Sequence, residues 1–140
     1  MCKPISWIEY QNKNYYITNK DLNTKEGKEL IKYIGNKDDI QGHGAVRHYY
    51  PELKGKGIEQ EVNDFSTPKN FPPEIVKDLL KGNFSEVFTD FSDMLVMLND
   101  EGRAEYEKIR QSALAEYEKI KQSAFWKVFK VKKYRAKGWK

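Results

Sequence analysis

Apolar and polar positions alternate in short runs at the start of the chain. Residues 7–11 and 15–18 are rich in aromatic and β-branched side chains, and residues 12–14 between them are polar. Two β-prone runs around a short polar turn predict a β-hairpin. Residues 58–65 predict a further strand, whose Glu, Gln and Asn side chains are typical of the edge of a sheet.

A helix is predicted after the hairpin. Asn23 and Glu26 stand in a capping-box arrangement, with Asn23 as the N-cap. Apolar residues then recur at helical spacing as far as Gly35, a residue that suits the left-handed end of a helix. These signals predict a helix over residues 24–34.

Two shorter helices are predicted further along the chain. Residues 45–50 form the first, which ends at Pro51, and residues 72–80 form the second, which has prolines in its first turn. Strands and helices therefore alternate. This order favours an α+β fold, a small mixed body with a β-hairpin and short helices.

From Phe91 onward the pattern becomes that of one long helix. It contains an 11-residue repeat, residues 104–114 followed by residues 115–125. Eleven residues fill about three helical turns, so the repeat keeps one narrow apolar face aligned along the helix. The face consists of Tyr106, Ile109, Ala113, Tyr117, Ile120 and Ala124. Because this face needs a partner helix, we predict a homo-oligomer that associates through Tyr106, Ile109, Tyr117 and Ile120.

Composition and charge divide the chain into two parts. Its 140 residues are 39% hydrophobic and 14% aromatic, which suits one modest core and is too aromatic for a disordered chain. Residues 1–103 carry 14 Lys and Arg against 17 Asp and Glu, whereas residues 104–140 carry 11 against 4. We therefore expect a body over residues 1–90 and a helical arm over residues 91–140 that ends in a basic, aromatic tail.

Composition also disfavours several classes of protein. Cys2 is the only cysteine, so neither an internal disulfide nor a cysteine-based zinc site is expected. No run of about 18 apolar residues occurs, so we expect no transmembrane segment. The first residues lack the apolar stretch of a signal peptide. A cytoplasmic protein without a metal or cofactor is the resulting expectation.

The strongest chemical motif surrounds the two histidines. His43 and His48 are five residues apart with no acidic residue between them, so they do not form a metal motif. Glycines before a helix can instead aim main-chain N–H groups at an anion, and an arginine can add a charged fork. The hypothesised site for a phosphorylated ligand consists of Gly42, His43, Gly44, Arg47 and His48.

A structural alternative stays open for the same segment. In it, the glycines merely turn the chain and Arg47 pairs with a carboxylate such as Asp38 or Asp64. Asp64 and Ser66 also have two interpretations. They either form a local turn before the helix over residues 72–80, or line a polar pocket beside the glycine-rich segment.

The C-terminal tail mixes basic and aromatic residues. Basic side chains neutralise phosphates and aromatic rings stack on bases, so nucleic acid is one predicted partner. An anionic membrane surface is another, and packing of the tail onto the body is the structural alternative. The residues expected to contact a partner are Trp126, Lys130, Lys132, Lys133 and Arg135.

Two segments and the repeat resemble a known group of proteins. Residues 40–50 (IQGHGAVRHYY), residues 64–76 (DFSTPKNFPPEIV) and the Ala-Glu-Tyr-Glu-Lys repeats are similar to those of small uncharacterised proteins encoded by phages and prophages. The likeness covers most of residues 7–125. It implies an accessory protein of a mobile element in a bacterial cell, and such proteins commonly counter host defence.

The resulting hypothesis is a non-enzymatic counter-defence protein of the anti-CRISPR or signal-sponge type. It would act by blocking a host immune protein or by sequestering a nucleotide signal. One alternative is a structural or assembly protein that uses the repeat helix to oligomerise. The other is a small enzyme acting on a nucleotide or a nucleic acid, which would need an acid/base or metal constellation.

Overall fold

A computed structural model describes residues 4–35, 40–88 and 91–139. The chain divides into two compact units, Met1–Met97 and Leu98–Lys140. The first unit combines an antiparallel sheet with short helices, and the second contains a long helix, so the predicted α+β class is confirmed. The division falls after Met97, whereas the sequence pattern predicts it after residue 90.

Eight helices and strands are described. In chain order they are β1 (Ile5–Tyr10), β2 (Lys13–Tyr15), α1 (Asn19–Leu22), α2 (Lys25–Ile34), α3 (His43–Tyr49), β3 (Ile58–Val62), α4 (Pro73–Leu80) and α5 (Asp100–Phe129). Short 3-10 segments cover Pro51–Leu53, Pro68–Asn70, Ser92–Met97 and Lys132–Tyr134.

The predicted hairpin is formed by β1 and β2, but its turn is shorter than expected. Gln11 and Asn12 alone connect the strands, with φ angles of 50° and 61°. Positive φ at both central residues is the geometry of the two-residue turns that match strand twist. The polar residues predicted for the turn therefore extend into β2, where Lys13 pairs with Tyr10.

The sheet has the order β2-β1-β3, so β1 is the central strand and β3 lies at an edge, as predicted. Trp7 of β1 pairs with Gln60 of β3 in antiparallel register. β3 ends at Val62 rather than at residue 65. The reason is a local turn, in which Asp64 Oδ1 accepts a hydrogen bond from the Ser66 N–H at 3.0 Å.

The helix pair α1 and α2 shows one missed element and one misplaced cap. α1 is absent from the sequence-based prediction, and Asn23 ends it by donating its N–H to the Asn19 carbonyl. Asn23 is therefore not the N-cap of α2. Thr24 takes that role, because its Oγ1 accepts from the Gly27 N–H at 3.0 Å and donates to the Asp21 carbonyl at 2.6 Å.

Gly27 and Gly35 serve α2 in different ways. A Cβ at Gly27 would lie 2.0 Å from the Asp21 carbonyl oxygen, so only glycine lets α2 approach α1 this closely. Gly35 has a φ of 67° and closes the helix in the left-handed conformation, as predicted.

The core lies where the sheet meets the helices of the first unit. Residues 5–8 of β1 are all buried, which is the pattern of a central strand covered on both faces. Phe65 and Phe71 pack against each other with ring centroids 5.2 Å apart. The side chains with the least exposure are Ile5, Ile8, Leu30, Val46, Leu53 and Ile75.

The long helix α5 begins at Asp100 rather than at Phe91. Asn99 is its N-cap, with Oδ1 accepting from the Gly102 N–H at 2.8 Å. The preceding residues Ser92–Met97 form a 3-10 segment that belongs to the first unit. α5 contains no buried residue among those described and ends at Phe129.

Candidate functional site

The predicted anion-binding segment starts a helix two residues earlier than the sequence indicates. α3 begins at His43, and Gly42 is its N-cap with φ −65° and ψ 162°. These are angles that any residue adopts, and Gly44 lies within the helix. Neither glycine therefore has a main-chain conformation that only glycine can adopt.

His43 and Arg47 lie one turn apart on α3, and both face β3. His43 Nε2 is 2.8 Å from the Gln60 carbonyl oxygen, and its Nδ1 is 3.6 Å from Glu59 Oε2. Arg47 Nη2 is 3.5 Å from Glu59 Oε1. Among the described residues, Glu59 is thus a carboxylate beside Arg47, and sequence analysis did not offer it as a partner.

Sequence analysis offered two carboxylates to Arg47. Asp64 closes its own turn with Ser66, and Asp38 lies outside the described residues. The Arg47 Nη1 atom is buried and has no hydrogen-bond partner in the described part of the chain. The geometry of the segment favours its structural alternative, because Glu59 already neutralises the guanidinium.

His48 does not join the other candidate residues. Its ring stacks on Tyr33 of α2, with centroids 4.0 Å apart and planes 9° from parallel. Five-residue spacing on a helix places His43 and His48 on different faces. The two histidines and Arg47 therefore do not converge on one pocket.

A polar cleft of about 280 Å³ lies beside β2 and α4 and was not predicted. Asp78, which lines the cleft, accepts two hydrogen bonds, from the Tyr16 hydroxyl at 2.6 Å and from Asn83 Nδ2 at 2.7 Å. Burial, reinforced by Asp78, raises the pKa of Tyr16, and burial together with Asp21 raises that of Tyr50. No sequence signal links Tyr16 to Asp78, because 62 positions separate them.

A second cavity, of about 230 Å³, is mostly apolar. Its walls include Phe71, Val76 and Leu79, and Ser66 contributes one of its few polar side chains. None of the residues that line it belongs to α3. The cavity that Ser66 lines thus contains no residue of the glycine-rich segment, and the local-turn alternative fits the structure.

The apolar face of α5 is exposed along its whole length. The exposed fractions are 37% for Tyr106, 62% for Ile109, and 59% for both Tyr117 and Ile120. Exposed apolar rows of this kind mark contact surfaces in soluble proteins. We call the row of Tyr106, Ile109, Ala113, Tyr117, Ile120 and Ala124 the α5 stripe.

The tail folds back onto the end of α5 rather than extending from it. Arg135 Nε donates to the Phe129 carbonyl at 2.8 Å, and Nη2 donates to the Lys130 carbonyl at 3.3 Å. The Arg135 guanidinium also lies 5.1 Å from the centroid of the Phe129 ring. Arg135, predicted as a partner-binding residue, thus satisfies carbonyl groups at the helix end.

The remaining predicted tail residues are accessible. Lys130, Lys132 and Lys133 are exposed, and Lys133 Nζ lies 4.9 Å from the centroid of the Tyr134 ring. Trp126 is also exposed, with its ring edge-on to Phe129. The tail therefore presents cations beside open aromatic faces, the combination used for single-stranded nucleic acids.

Within residues 4–35, 40–88 and 91–139, no group of three or more His, Cys, Asp and Glu is placed to hold a metal ion. In the same ranges no helix combines the length and the apolar character needed to cross a membrane. Comparison of the chain with protein-family models, with curated proteins and with solved structures finds no match.

Proposed function

We propose that this protein acts by binding rather than by catalysis, as a counter-defence protein of a phage or prophage, and that the α5 unit is its binding element. The observation that carries the proposal is the exposed α5 stripe. An apolar row across several turns of helix suits a protein partner, because burial of its side chains is favourable wherever a complementary surface covers them. The phage context comes from the resemblance of residues 40–50 and 64–76.

The geometry supports a blocked protein better than a sequestered nucleotide. A nucleotide needs a concave site with converging cationic or N–H groups. His43 and Arg47 both lie beside the carboxylate of Glu59, and His48 stacks on Tyr33 instead of joining them. In the polar cleft both oxygens of Asp78 already accept hydrogen bonds from Tyr16 and Asn83.

Plating of phages on bacterial strains that each carry one defence system tests the proposal. We expect expression of the protein to raise the plating efficiency of the phages at least tenfold on one or more strains. Ile109→Ser with Ile120→Ser removes two large apolar side chains of the stripe and is expected to abolish the rise. The matched control, Lys108→Ser with Lys119→Ser, changes the neighbouring exposed positions on another face of α5 and is expected to retain it.

Two results would contradict the proposal. One is that the protein raises phage plating on none of the strains. The other is that the stripe variant raises plating as much as the unmodified protein does. The assembly alternative makes a different prediction. Deletion of the gene would then lower the yield of phage particles in a host that carries no defence system.

A further inference from the structure

The α5 stripe is flanked by charges of opposite sign on its two sides. With about 100° of rotation per residue, Glu105 and Glu116 lie about 60–80° to one side of the stripe. Arg110 and Lys121 lie about as far to the other side. All four side chains are exposed. The repeat therefore gives the helix one acidic and one basic edge.

This asymmetry distinguishes the two ways in which a second copy could cover the stripe. In a parallel pair related by a two-fold axis along the helices, the acidic edge of each helix faces the basic edge of the other. In an antiparallel pair, the two-fold axis is perpendicular to the helices, so each edge faces its own equivalent. Opposite charges across an interface favour the pair and like charges oppose it, so the charge pattern selects the parallel arrangement.

The contacts within α5 leave the basic edge available. Arg110 Nη1 is 2.9 Å from Glu107 Oε1, and Lys121 Nζ is 3.7 Å from Glu118 Oε1. Both acids lie further from the stripe than their basic partners do. Exposed pairs three residues apart are weak, so they do not prevent Arg110 and Lys121 from reaching a glutamate across the interface.

The repeat also selects the register. In a parallel pair without axial offset, both repeats are covered, and Ala113 and Ala124 each face their own copy. Small side chains at these two levels allow close approach of the helices. If the two helices were offset by 11 residues, the first repeat of one helix would meet the second repeat of the other. The remaining repeat of each helix would then be uncovered.

We infer that the α5 stripe is covered by a second copy of this chain in a parallel, unshifted helix pair. The inference rests on the proposed function, because it assigns the α5 stripe to pairing of two copies and leaves the rest of the paired α5 units to meet the host partner. It also places the two basic tails at one end of the pair. A dimer would thus present two sets of Lys130, Lys132 and Lys133 side by side to an anionic partner.

Disulfide trapping in the full chain tests the orientation. In a Cys2→Ser background, Ala124→Cys is expected to form a covalent homodimer on mild oxidation. Tyr106→Cys chains mixed with Ala124→Cys chains of different size would cross-link to each other only in an antiparallel pair. Ala113→Cys mixed with Ala124→Cys would cross-link only if the helices were offset by one repeat.

Charge reversal tests the physical reason for the orientation. Arg110→Glu with Lys121→Glu is expected to weaken the dimer at least tenfold in sedimentation equilibrium. Adding Glu105→Lys and Glu116→Lys is expected to restore it, because acidic and basic edges again face each other. Circular dichroism of each variant confirms that α5 remains helical.

Three results would overturn the inference. They are a monomer at tens of micromolar, cross-linking only in one of the mixed samples, and a dimer insensitive to charge reversal. None of these measurements depends on a phage. A parallel dimer that relieves no defence system would contradict the proposed function alone, whereas a monomer that relieves one would contradict this inference alone.

Discussion

The His43 Nε2 atom lies 2.8 Å from the main-chain oxygen of Gln60, and this contact ties the first turn of α3 to the edge strand β3. His43 is buried at the junction. A residue that sequence analysis assigned to ligand binding therefore links two elements of the fold. Replacement of His43 should therefore lower the stability of the fold.

Replacement of His43 by leucine is expected to lower the free energy of unfolding by about 1–3 kcal/mol, because the partly buried carbonyl of Gln60 would lose this partner. His43→Gln keeps a side-chain N–H within reach and should lose less. Urea denaturation followed by circular dichroism measures both variants. Equal stability of His43→Leu and the unmodified protein would show that the carbonyl of Gln60 has another partner.

Arg47→Met is expected to leave the melting temperature unchanged or to raise it by a few degrees. The variant removes the buried Nη1, which lacks a partner among the described residues, and keeps most of the apolar stem. The lost ion pair with Glu59 is a half-exposed one and contributes at most about 1 kcal/mol. A drop of several degrees by differential scanning calorimetry would contradict this prediction and mean that the guanidinium stabilises the fold, as the structural alternative holds.

Two glycine-to-alanine changes should have opposite effects. Gly27→Ala places a methyl group against the main chain of Asp21. It is expected to lower the free energy of unfolding by about 2 kcal/mol or more, because overpacking a core has a cost of this order. Gly44→Ala, in a helix with open space around it, should stabilise by about 0.5–1 kcal/mol. Thermal unfolding of the two variants checks the prediction. A Gly27→Ala variant that is more stable than the unmodified protein would refute the close approach of α1 and α2.

The tyrosines of the polar cleft should make the protein sensitive to alkali. Burial, with Asp78, raises the pKa of Tyr16, and burial, with Asp21, raises that of Tyr50. The unfolded chain releases these protons near pH 10 while the folded chain retains them. The stabilisation is therefore complete below pH 10 and falls as the pH rises further.

Tyr16→Phe with Tyr50→Phe is expected to flatten this decline in the free energy of unfolding above pH 10. Tyr33→Phe, at a ring that is 71% exposed, serves as the control and should leave the decline unchanged. Urea denaturation between pH 8 and pH 11 measures the slopes. Identical slopes for all three proteins would contradict the burial of the cleft hydroxyls.

The tail is predicted to bind a single-stranded oligonucleotide with an affinity that falls steeply with salt. Replacing Lys130, Lys132 and Lys133 by alanine should make the fall of log K with log salt shallower. The magnitude of the slope should decrease by about 2, since each phosphate contact on a single strand contributes about 0.7. The matched control replaces Lys25, Lys54 and Lys81, three exposed lysines of the first unit, by alanine. Fluorescence anisotropy measures both, and equal weakening by the two variants would exclude the tail as the binding surface.

Arg135 should behave differently from these lysines. Because it donates to the carbonyl groups of Phe129 and Lys130, Arg135→Ala is expected to reduce the helical circular dichroism signal of the chain slightly. Lys133→Ala should leave that signal unchanged. If Arg135→Ala lost affinity for the oligonucleotide without losing helix, Arg135 would instead be a residue that contacts the oligonucleotide.

The sequence alone determined the features that depend on neighbouring residues. The hairpin follows from β-prone runs around a polar turn, and the left-handed end of α2 follows from Gly35. The repeat determined that residues 104–125 are helical and on which faces their apolar and charged residues lie, whereas both ends of α5 differ from the prediction. Periodicity suffices in these cases because residues close in the chain set the structure.

Only the tertiary structure decided the contacts between distant segments. Thr24 rather than Asn23 caps α2, because α1 precedes it and uses Asn23 as its own end. Glu59 rather than Asp64 lies beside Arg47, because β3 carries Glu59 against α3 while Asp64 closes its own turn with Ser66. A periodic pattern shows which face of an element is buried, but the residue that meets it is chosen by packing of elements far apart in the chain.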